Sequence, residues 1–236
     1  MKHMNKTLVL LGAALLGGLN AGAQTTAKEP EEKKSTVEKP SRDFVMIKIT
    51  TGGWADKPDS VSTKNLGRGF AISLMYDFPI KKSNFSFAAG LGINAQNVYL
   101  DGQNINFKDT GSQSIFFASS AYKRYKLTTT RLEMPLELRF FGNNKNRNVG
   151  FKAAVGANIG LTIGSHTKGV SGSGGSKYSD KVVTRRFIQQ WDFAPTMRIG
   201  YGNFSVYGSY SLTPLFKENA GPQVVQYSIG ICLTGL

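Results

Sequence analysis

From Phe44 onward, apolar and polar residues alternate with a period of two in eight stretches of the chain. This period is typical of β-strands with one apolar face, because successive side chains point to opposite sides of a sheet. Pro135 and Pro195 lie inside two of the stretches, and each removes a ladder donor, which predicts local bulges. The eight predicted strands are Phe44–Trp54, Leu66–Phe78, Phe85–Leu100, Lys126–Phe141, Val149–Gly164, Val182–Tyr201, Asn203–Thr213 and Val224–Gly235.

The connections between the predicted strands alternate in length. Those after the second, fourth and sixth strands are tight, whereas those after the first, third, fifth and seventh are longer and polar. Tilted strands of about 9–11 residues cross a bilayer, and short turns at one end with long loops at the other are typical of outer-membrane barrels. The sequence therefore predicts an all-β fold: an eight-stranded antiparallel transmembrane β-barrel with short periplasmic turns and four longer extracellular loops. A soluble, lipocalin-like barrel is the alternative, in which the apolar face would point inward.

The first 43 residues lack this alternation. A basic start precedes an apolar run from Leu8 to Leu19, and small residues at 21–23 complete the pattern of a secretory signal peptide. Residues 24–43 carry five basic and five acidic side chains among Pro, Ser and Thr, which predicts a disordered leader. The predicted organisation is a signal peptide at 1–23, a disordered periplasmic leader at 24–43 and the barrel at 44–236.

Composition excludes several kinds of chemistry. The single cysteine, Cys232, excludes an intramolecular disulfide and a multi-cysteine metal site. We expect no metal, cofactor or catalytic site, because no spacing brings three ligands together and no phosphate-binding glycine motif occurs. Beyond residue 43 the chain has 22 Lys and Arg against 10 Asp and Glu. Nucleic acid is nevertheless not an expected partner of an exported barrel.

Charged residues on the minor face of the strands suit a narrow interior. Eight strands leave a lumen that side chains fill, so a wide pore is not expected. Glu133 and Glu137 are four residues apart on one strand, about 13 Å at 3.3 Å per residue, which is too far for paired glycosidase carboxylates. We therefore predict a structural ion-pair network. The predicted barrel-interior polar network comprises Arg131, Glu133, Glu137, Arg139, Lys152, Asp192 and Arg198.

Basic residues concentrate at the long-loop end, where the outer leaflet would present anionic lipopolysaccharide. Arginine and lysine bind phosphate through charge-assisted hydrogen bonds. The predicted lipid-phosphate contacts are Lys123, Arg124, Lys126, Arg185 and Arg186. The glycine-rich run that starts at Gly169 predicts a mobile loop in the same region.

Three parts of the barrel carry distinctive sequence: TRLEMPLELRFFG followed by VGFKAAVGANIGLTIG, then WDFAPTMRIGYGNFSVYGSYSLTPLF, and finally GPQVVQYSIGICLTGL. Together they resemble the PorT-like outer membrane β-barrel family of Bacteroidota, often called outer membrane protein beta-barrel domain. The resemblance covers roughly Phe44–Leu236. It implies an outer-membrane location and no shared catalytic residues. A barrel of this kind would also need the outer-membrane barrel insertion machinery as a partner.

The sequence favours a non-enzymatic integral outer-membrane protein with a structural or surface-interaction role. A narrow, porin-like channel for small solutes is one alternative. A lipid-modifying outer-membrane enzyme is another, for which His166 is the candidate because it lies near Ser165 and Asp180 in a predicted loop.

Overall fold

The computed structural model describes residues 44–64, 67–81, 83–107, 115–118, 122–143, 149–173 and 176–235. The predicted signal peptide and leader lie outside the described residues. Within these ranges no helix is long and apolar enough to cross a membrane. The strands are β1 (Val45–Ala55), β2 (Gly67–Pro79), β3 (Phe85–Leu100), β4 (Gln103–Asn106), β5 (Ile115–Ala118), β6 (Arg124–Phe141), β7 (Phe151–Ser173), β8 (Ser176–Val183), β9 (Trp191–Tyr201), β10 (Phe204–Tyr210) and β11 (Val225–Thr234).

Eight of these strands form a closed antiparallel barrel, which confirms the predicted fold. The strands β1, β2, β3, β6, β7, β9, β10 and β11 follow one another around the wall, each paired with the next. The ring closes where β1 pairs with β11, from Met46 opposite Thr234 to Ala55 opposite Val225. Closure leaves the wall without a free edge, so every wall strand has a neighbour on both sides. Short turns and long loops lie at opposite ends, as predicted.

Bulky apolar side chains point away from the barrel axis and form an apolar band. In β2, Phe70, Leu74 and Tyr76 are exposed, whereas the intervening Ala71 and Met75 are buried. All eight wall strands contribute large exposed apolar residues to this band. Such a surface suits hydrocarbon and not water, because apolar area in water costs roughly 25 cal/mol per Å². The soluble alternative is therefore wrong, since it required the bulky face to lie inside.

The apolar band ends before the wall strands do. Towards the long-loop end, its last outward residues on β6 and β7 are Leu132 and Ile163. Both strands continue beyond these residues, and the register between them shifts at Thr130 and Arg131 so that Ile163 has no partner. This β-bulge reverses which residues of β7 face outward beyond it.

The prediction of bulges at the two prolines is wrong. The register between β3 and β6 continues unchanged past Pro135, but the ladder omits the residues opposite Pro135 and Met134. Pro195 lies opposite Ala157 in β7, and the ladder between β9 and β10 stops one residue away, at Thr196. Each proline thus lies at a position where its strand makes no ladder hydrogen bond on one side. A proline there removes no ladder hydrogen bond, so the strand needs no bulge.

The predicted sixth strand, Val182–Tyr201, is not one strand. Val182 belongs to β8, and β9 begins only at Trp191. Between them the chain makes a turn closed by a hydrogen bond from the Ile188 amide to the Arg185 carbonyl, 3.2 Å long. The period-two pattern of this stretch places Phe187 on the same apolar face as Trp191, but the structure buries Phe187 among the loops.

The third predicted loop, Ser165–Lys181, is largely a hairpin. β7 extends to Ser173, and β8 pairs back along it from Ser176 to Val183. The glycine-rich run from Gly169 lies in this hairpin, so its described part is strand and not the predicted loop. β7 continues into this hairpin because Arg124–Thr130 of β6 pair with it along the edge opposite to β8.

The loops pack into a hydrophobic cap over the long-loop end. The Trp54 ring meets those of Phe116 and Phe216 edge to face, with centroids 6.2 and 6.1 Å apart. Phe107 and Phe187 stack with centroids 5.3 Å apart. The buried residues of this cap are Trp54, Val61, Val98, Leu100, Ile105, Phe107, Tyr125, Leu127, Phe187, Ile188, Leu215, Phe216, Ala220 and Val224.

Candidate functional sites in the lumen and on the outer wall

Glu137 of β6 is the centre of an ionic cluster inside the barrel. Its carboxylate accepts a hydrogen bond of 2.8 Å from Nε of Arg139 and one of 3.0 Å from Nη2 of Arg198. Arg139 also pairs with Asp77 of β2, at 3.6 Å, and Asp77 accepts a 2.7 Å hydrogen bond from Ser86. Because alternate residues of a strand face inward, β2, β6 and β9 each direct one or more of these charges to the same level of the lumen.

A second cluster surrounds Glu133. Lys48 of β1 lies 3.5 Å from this carboxylate, and Asn94 and Asn158 donate to its two oxygens at 2.6 and 3.2 Å. The Lys48 ammonium also lies 4.8 Å from the centroid of the Tyr207 ring. A fully buried lysine is thus held by a counter-ion and an aromatic face together.

Arg131 and Asp192 form a third pair, 3.8 Å apart. Across the three clusters, four cations lie beside four carboxylates, so these buried charges balance. The carboxylates belong to Asp77, Glu133, Glu137 and Asp192, and the cations to Lys48, Arg131, Arg139 and Arg198. Balance matters because a buried charge without its partner costs several kcal/mol.

All seven residues of the predicted interior network are buried inside the barrel. Lys152 is the one member outside the three clusters, and its ammonium lies 5.7 Å from the centroid of the Phe141 ring. Sequence reasoning missed Lys48 and Asp77. Their position on the polar face of the first and second strands was the signal that could have identified them.

Little free space remains in the lumen. Between the Glu133 cluster and the cap lies a cavity of about 30 Å³, lined by polar groups that include Gln96, Asp192 and Ser211. That volume holds one or two water molecules. Above it lies the hydrophobic cap, and below it lies the cluster around Glu137. This cavity therefore has no room for a solute larger than one or two water molecules.

His166 does not meet the groups that would activate it for catalysis. It lies on the outward face of β7, between Thr128 of β6 and Val183 of β8. Ser165 precedes it and is buried on the inward face. Asp180 lies on the inward face of β8 and accepts a hydrogen bond of 3.4 Å from Tyr122. Alternation thus separates the imidazole from both candidate partners.

A row of lysines crosses the outer wall beyond the apolar band. Lys126 of β6 lies opposite Lys168 of β7, and Lys168 lies opposite Lys181 of β8. These three residues form what we call the lysine row. All three face outward, because the bulge at Ile163 moves the even-numbered residues of β7 to the outer face. Arg124 lies two residues farther along the same face of β6.

The five predicted lipid-phosphate contacts do not form one group. Arg124 and Lys126 lie on the outward face of β6, and Lys123 is exposed just before that strand. Arg185 and Arg186 are exposed in the turn between β8 and β9, where the Arg186 guanidinium lies 5.6 Å from the centroid of a phenylalanine ring. Lys168 and Lys181, which the structure places beside Lys126, were missing from the prediction.

Charge repulsion and burial affect the titration of this region. Burial and then the charges of Lys181, Lys126 and Lys168 lower the pKa of His166 below its usual value. Burial and then the charges of Lys168 and Arg124 lower the pKa of Lys126 in the same way. Both groups lie beyond the apolar band, on the long-loop side of the barrel.

No group of three or more potential metal ligands occurs in the described parts of the chain. The closed antiparallel wall, the apolar band and the filled polar lumen define an integral β-barrel protein of the outer-membrane type. The family model for the outer membrane protein beta-barrel domain matches residues 17–217, and the chain belongs to this family. No curated protein and no solved structure matches the chain.

Proposed function

We propose that this protein is a closed, non-enzymatic outer-membrane barrel that acts through its outer surface and its loop cap. The observation that carries the proposal is the filled lumen. Two ionic clusters, around Glu137 and Glu133, and the hydrophobic cap lie one above another along the barrel. Of the residues that the structure describes, those of the outer wall, the cap and the turns are then the ones that can contact other molecules.

A narrow channel is the main alternative, and the same packing argues against it. Ions would have to pass the Glu137 cluster, where one carboxylate bonds two arginine side chains at 2.8 and 3.0 Å. They would then have to pass a cap in which Phe216 and Trp54 are almost completely buried. Opening such a path would break charge-assisted hydrogen bonds and expose aromatic rings, which favours a resting state without conductance.

A lipid-modifying activity is the other alternative. Its best candidate, His166, faces away from Ser165 and Asp180, so the side chains do not form a nucleophile–base pair. We therefore expect membrane lipids to keep their composition when the protein is produced, as measured by lipid mass spectrometry. A new lipid species that disappears in the His166→Ala variant would revive the enzymatic alternative.

We further propose that the long-loop end faces the cell exterior and that the short turns face the periplasm. The loop alternation supports this orientation, because outer-membrane barrels have short periplasmic turns. Membership of the PorT-like branch of Bacteroidota remains a prediction from the three sequence segments given above. The insertion machinery remains the expected partner during assembly.

Conductance across planar bilayers tests the closed-lumen proposal. The wild-type full chain, refolded in detergent and inserted, should give no stable current steps in molar salt. The Glu137→Ala/Arg198→Ala variant serves as the comparison, because it removes two facing side chains from the lumen. Steady, reproducible steps from wild type would contradict the proposal, and steps from the variant alone would support it.

A further inference from the structure

The outer wall carries two adjacent rows of outward side chains just beyond the apolar band. The lower row runs across β2, β3, β6, β7 and β8, and its members lie opposite one another in the strand register: Arg68, Asn97, Thr128, His166 and Val183. The upper row lies two residues closer to the long-loop end on each strand. It contains Tyr99 and the lysine row. A cationic stripe thus crosses three neighbouring strands on the long-loop side of the apolar band.

Hydrogen bonds hold one end of the stripe in place. The Lys126 ammonium donates a hydrogen bond of 2.7 Å to Oδ1 of Asn97, which also accepts one of 2.8 Å from Thr128. The amide nitrogen of Asn97 in turn donates to the Arg68 carbonyl at 3.0 Å. An ammonium has three donors, so two donors of Lys126 remain for a ligand.

The three lysines of the stripe form no salt bridge with a carboxylate in the part of the chain that the structure describes. Other lysines of the protein do have partners: Lys48 pairs with Glu133 inside the barrel, and Lys64 approaches a loop aspartate at 4.0 Å. Three adjacent like charges repel one another unless an anion lies between them. Burial lowers the pKa of Lys126, and the charges of Lys168 and Arg124 lower it further.

We propose that the lysine row binds the phosphate of an outer-leaflet lipid headgroup. The occupant follows from location: Val183, 68% exposed, lies two residues from Lys181 on the same face, so an apolar part of the outer wall lies next to the lysine row. A lipid next to this wall would place its chains on the apolar band and its headgroup at the lysines. The aliphatic stems of lysines at such a boundary lie along the wall while their ammonium groups reach phosphate.

The proposed orientation decides only which leaflet supplies the lipid. Binding of the lipid phosphate to the lysine row does not depend on it. The test of the lipid site measures lipid binding and not current, so a conducting barrel would refute the proposed function and leave the lipid site standing. Conversely, a closed barrel that fails to bind the phosphate would refute the lipid site alone.

Binding of lipid A to the refolded full chain in micelles of a zwitterionic detergent provides the experiment. The test variant carries Lys126→Gln, Lys168→Gln and Lys181→Gln. The matched control carries Lys57→Gln, Lys64→Gln and Lys217→Gln, which remove the same charge from the same end of the barrel at exposed residues outside the predicted lipid-phosphate contacts. Heat-modifiable gel mobility establishes that each variant is folded. Chemically dephosphorylated lipid A and inorganic phosphate are the comparison ligands.

Loss of the lysine row should weaken lipid A binding about a hundredfold at about 0.15 M salt, since each lysine near an anionic surface contributes about fivefold. The control variant should lose less than about fivefold, because screening limits charge effects beyond the Debye length. Dephosphorylated lipid A should bind wild type as weakly as lipid A binds the test variant. Equal weakening in the two variants would overturn the proposal, as would inorganic phosphate that binds as tightly as lipid A.

Two further measurements keep the test decisive if the triple variant fails to fold. Lys181 is exposed, so Lys181→Glu should preserve the fold and still weaken lipid A binding by more than tenfold. The His166 imidazole faces Lys126 on β6, Lys181 on β8 and Lys168 on its own strand. A bound phosphate should therefore raise its NMR-measured pKa, with the signal assigned by its loss in His166→Gln. An unchanged pKa at saturating lipid A would count against the site.

Discussion

Replacement of Glu137 by glutamine tests whether the lumen network stabilises the barrel. The substitution keeps the shape of the side chain but removes the charge that two guanidinium groups share at 2.8 and 3.0 Å. Arg139 retains Asp77 as a partner at 3.6 Å, whereas Arg198 loses its 3.0 Å salt bridge to Glu137. Removal of one member of a buried ion pair costs about 3–5 kcal/mol, because the other charge remains desolvated. We expect a loss of this size in the free energy of unfolding.

Urea unfolding in lipid vesicles, followed by tryptophan fluorescence, measures this loss. Glu218→Gln, the same change in an exposed loop residue, should alter the free energy of unfolding by less than about 0.5 kcal/mol. The Glu137→Gln/Arg198→Gln double variant should lose about 1–3 kcal/mol less than the sum of the single variants, since each change removes one half of the same salt bridge. If Glu137→Gln matched wild type and the two changes were additive, the reasoning about the network would be refuted.

Three other perturbations test the cap, the wall and the outward histidine. Phe216→Ala should weaken the cap by about 3–5 kcal/mol, because the Phe216 ring is buried against Trp54. In a background where the second tryptophan is replaced by phenylalanine, Trp54 emission should shift to the red. An unshifted spectrum would contradict the packed cap. Gly156→Ala should destabilise the barrel in urea, because an added Cβ would lie 2.0 Å from a backbone oxygen, whereas Gly208→Ala, with nothing within 4 Å, should be neutral. Because the pKa of His166 is lowered in the folded state, the unfolded chain takes up the proton first. Stability should therefore fall as the pH drops below about 6.5, and His166→Gln should remove that part of the dependence.

The period-two pattern located all eight wall strands because a membrane barrel contacts hydrocarbon on one face and a polar lumen on the other. The pattern stops where the hydrocarbon stops. Beyond Ile163 both faces of β7 are polar, so the extension to Ser173 and its partner β8 could not be recognised by alternation. Phe187 was misassigned for a related reason: an apolar residue in a packed cap looks the same in sequence as one on a lipid-facing strand.

The lumen residues could be predicted from their alternate positions along each strand, but their pairing partners could not. Glu137 and Arg198 are 61 residues apart, and only the strand order and register bring them together. The lysine row could not be predicted from the sequence for a different reason. Without the bulge at Ile163, Lys168 would share the inward parity of Lys152, so its outward position depends on one extra residue in β7.

Electrophoretic mobility of the refolded full chain, compared before and after boiling in SDS, tests the central claim that this protein is a closed transmembrane barrel. Circular dichroism with and without detergent accompanies it. The account predicts a β-rich species that forms only in detergent or lipid, resists SDS until boiled, and then changes its mobility. A chain that folds equally well in plain buffer and shows no shift on boiling would contradict it.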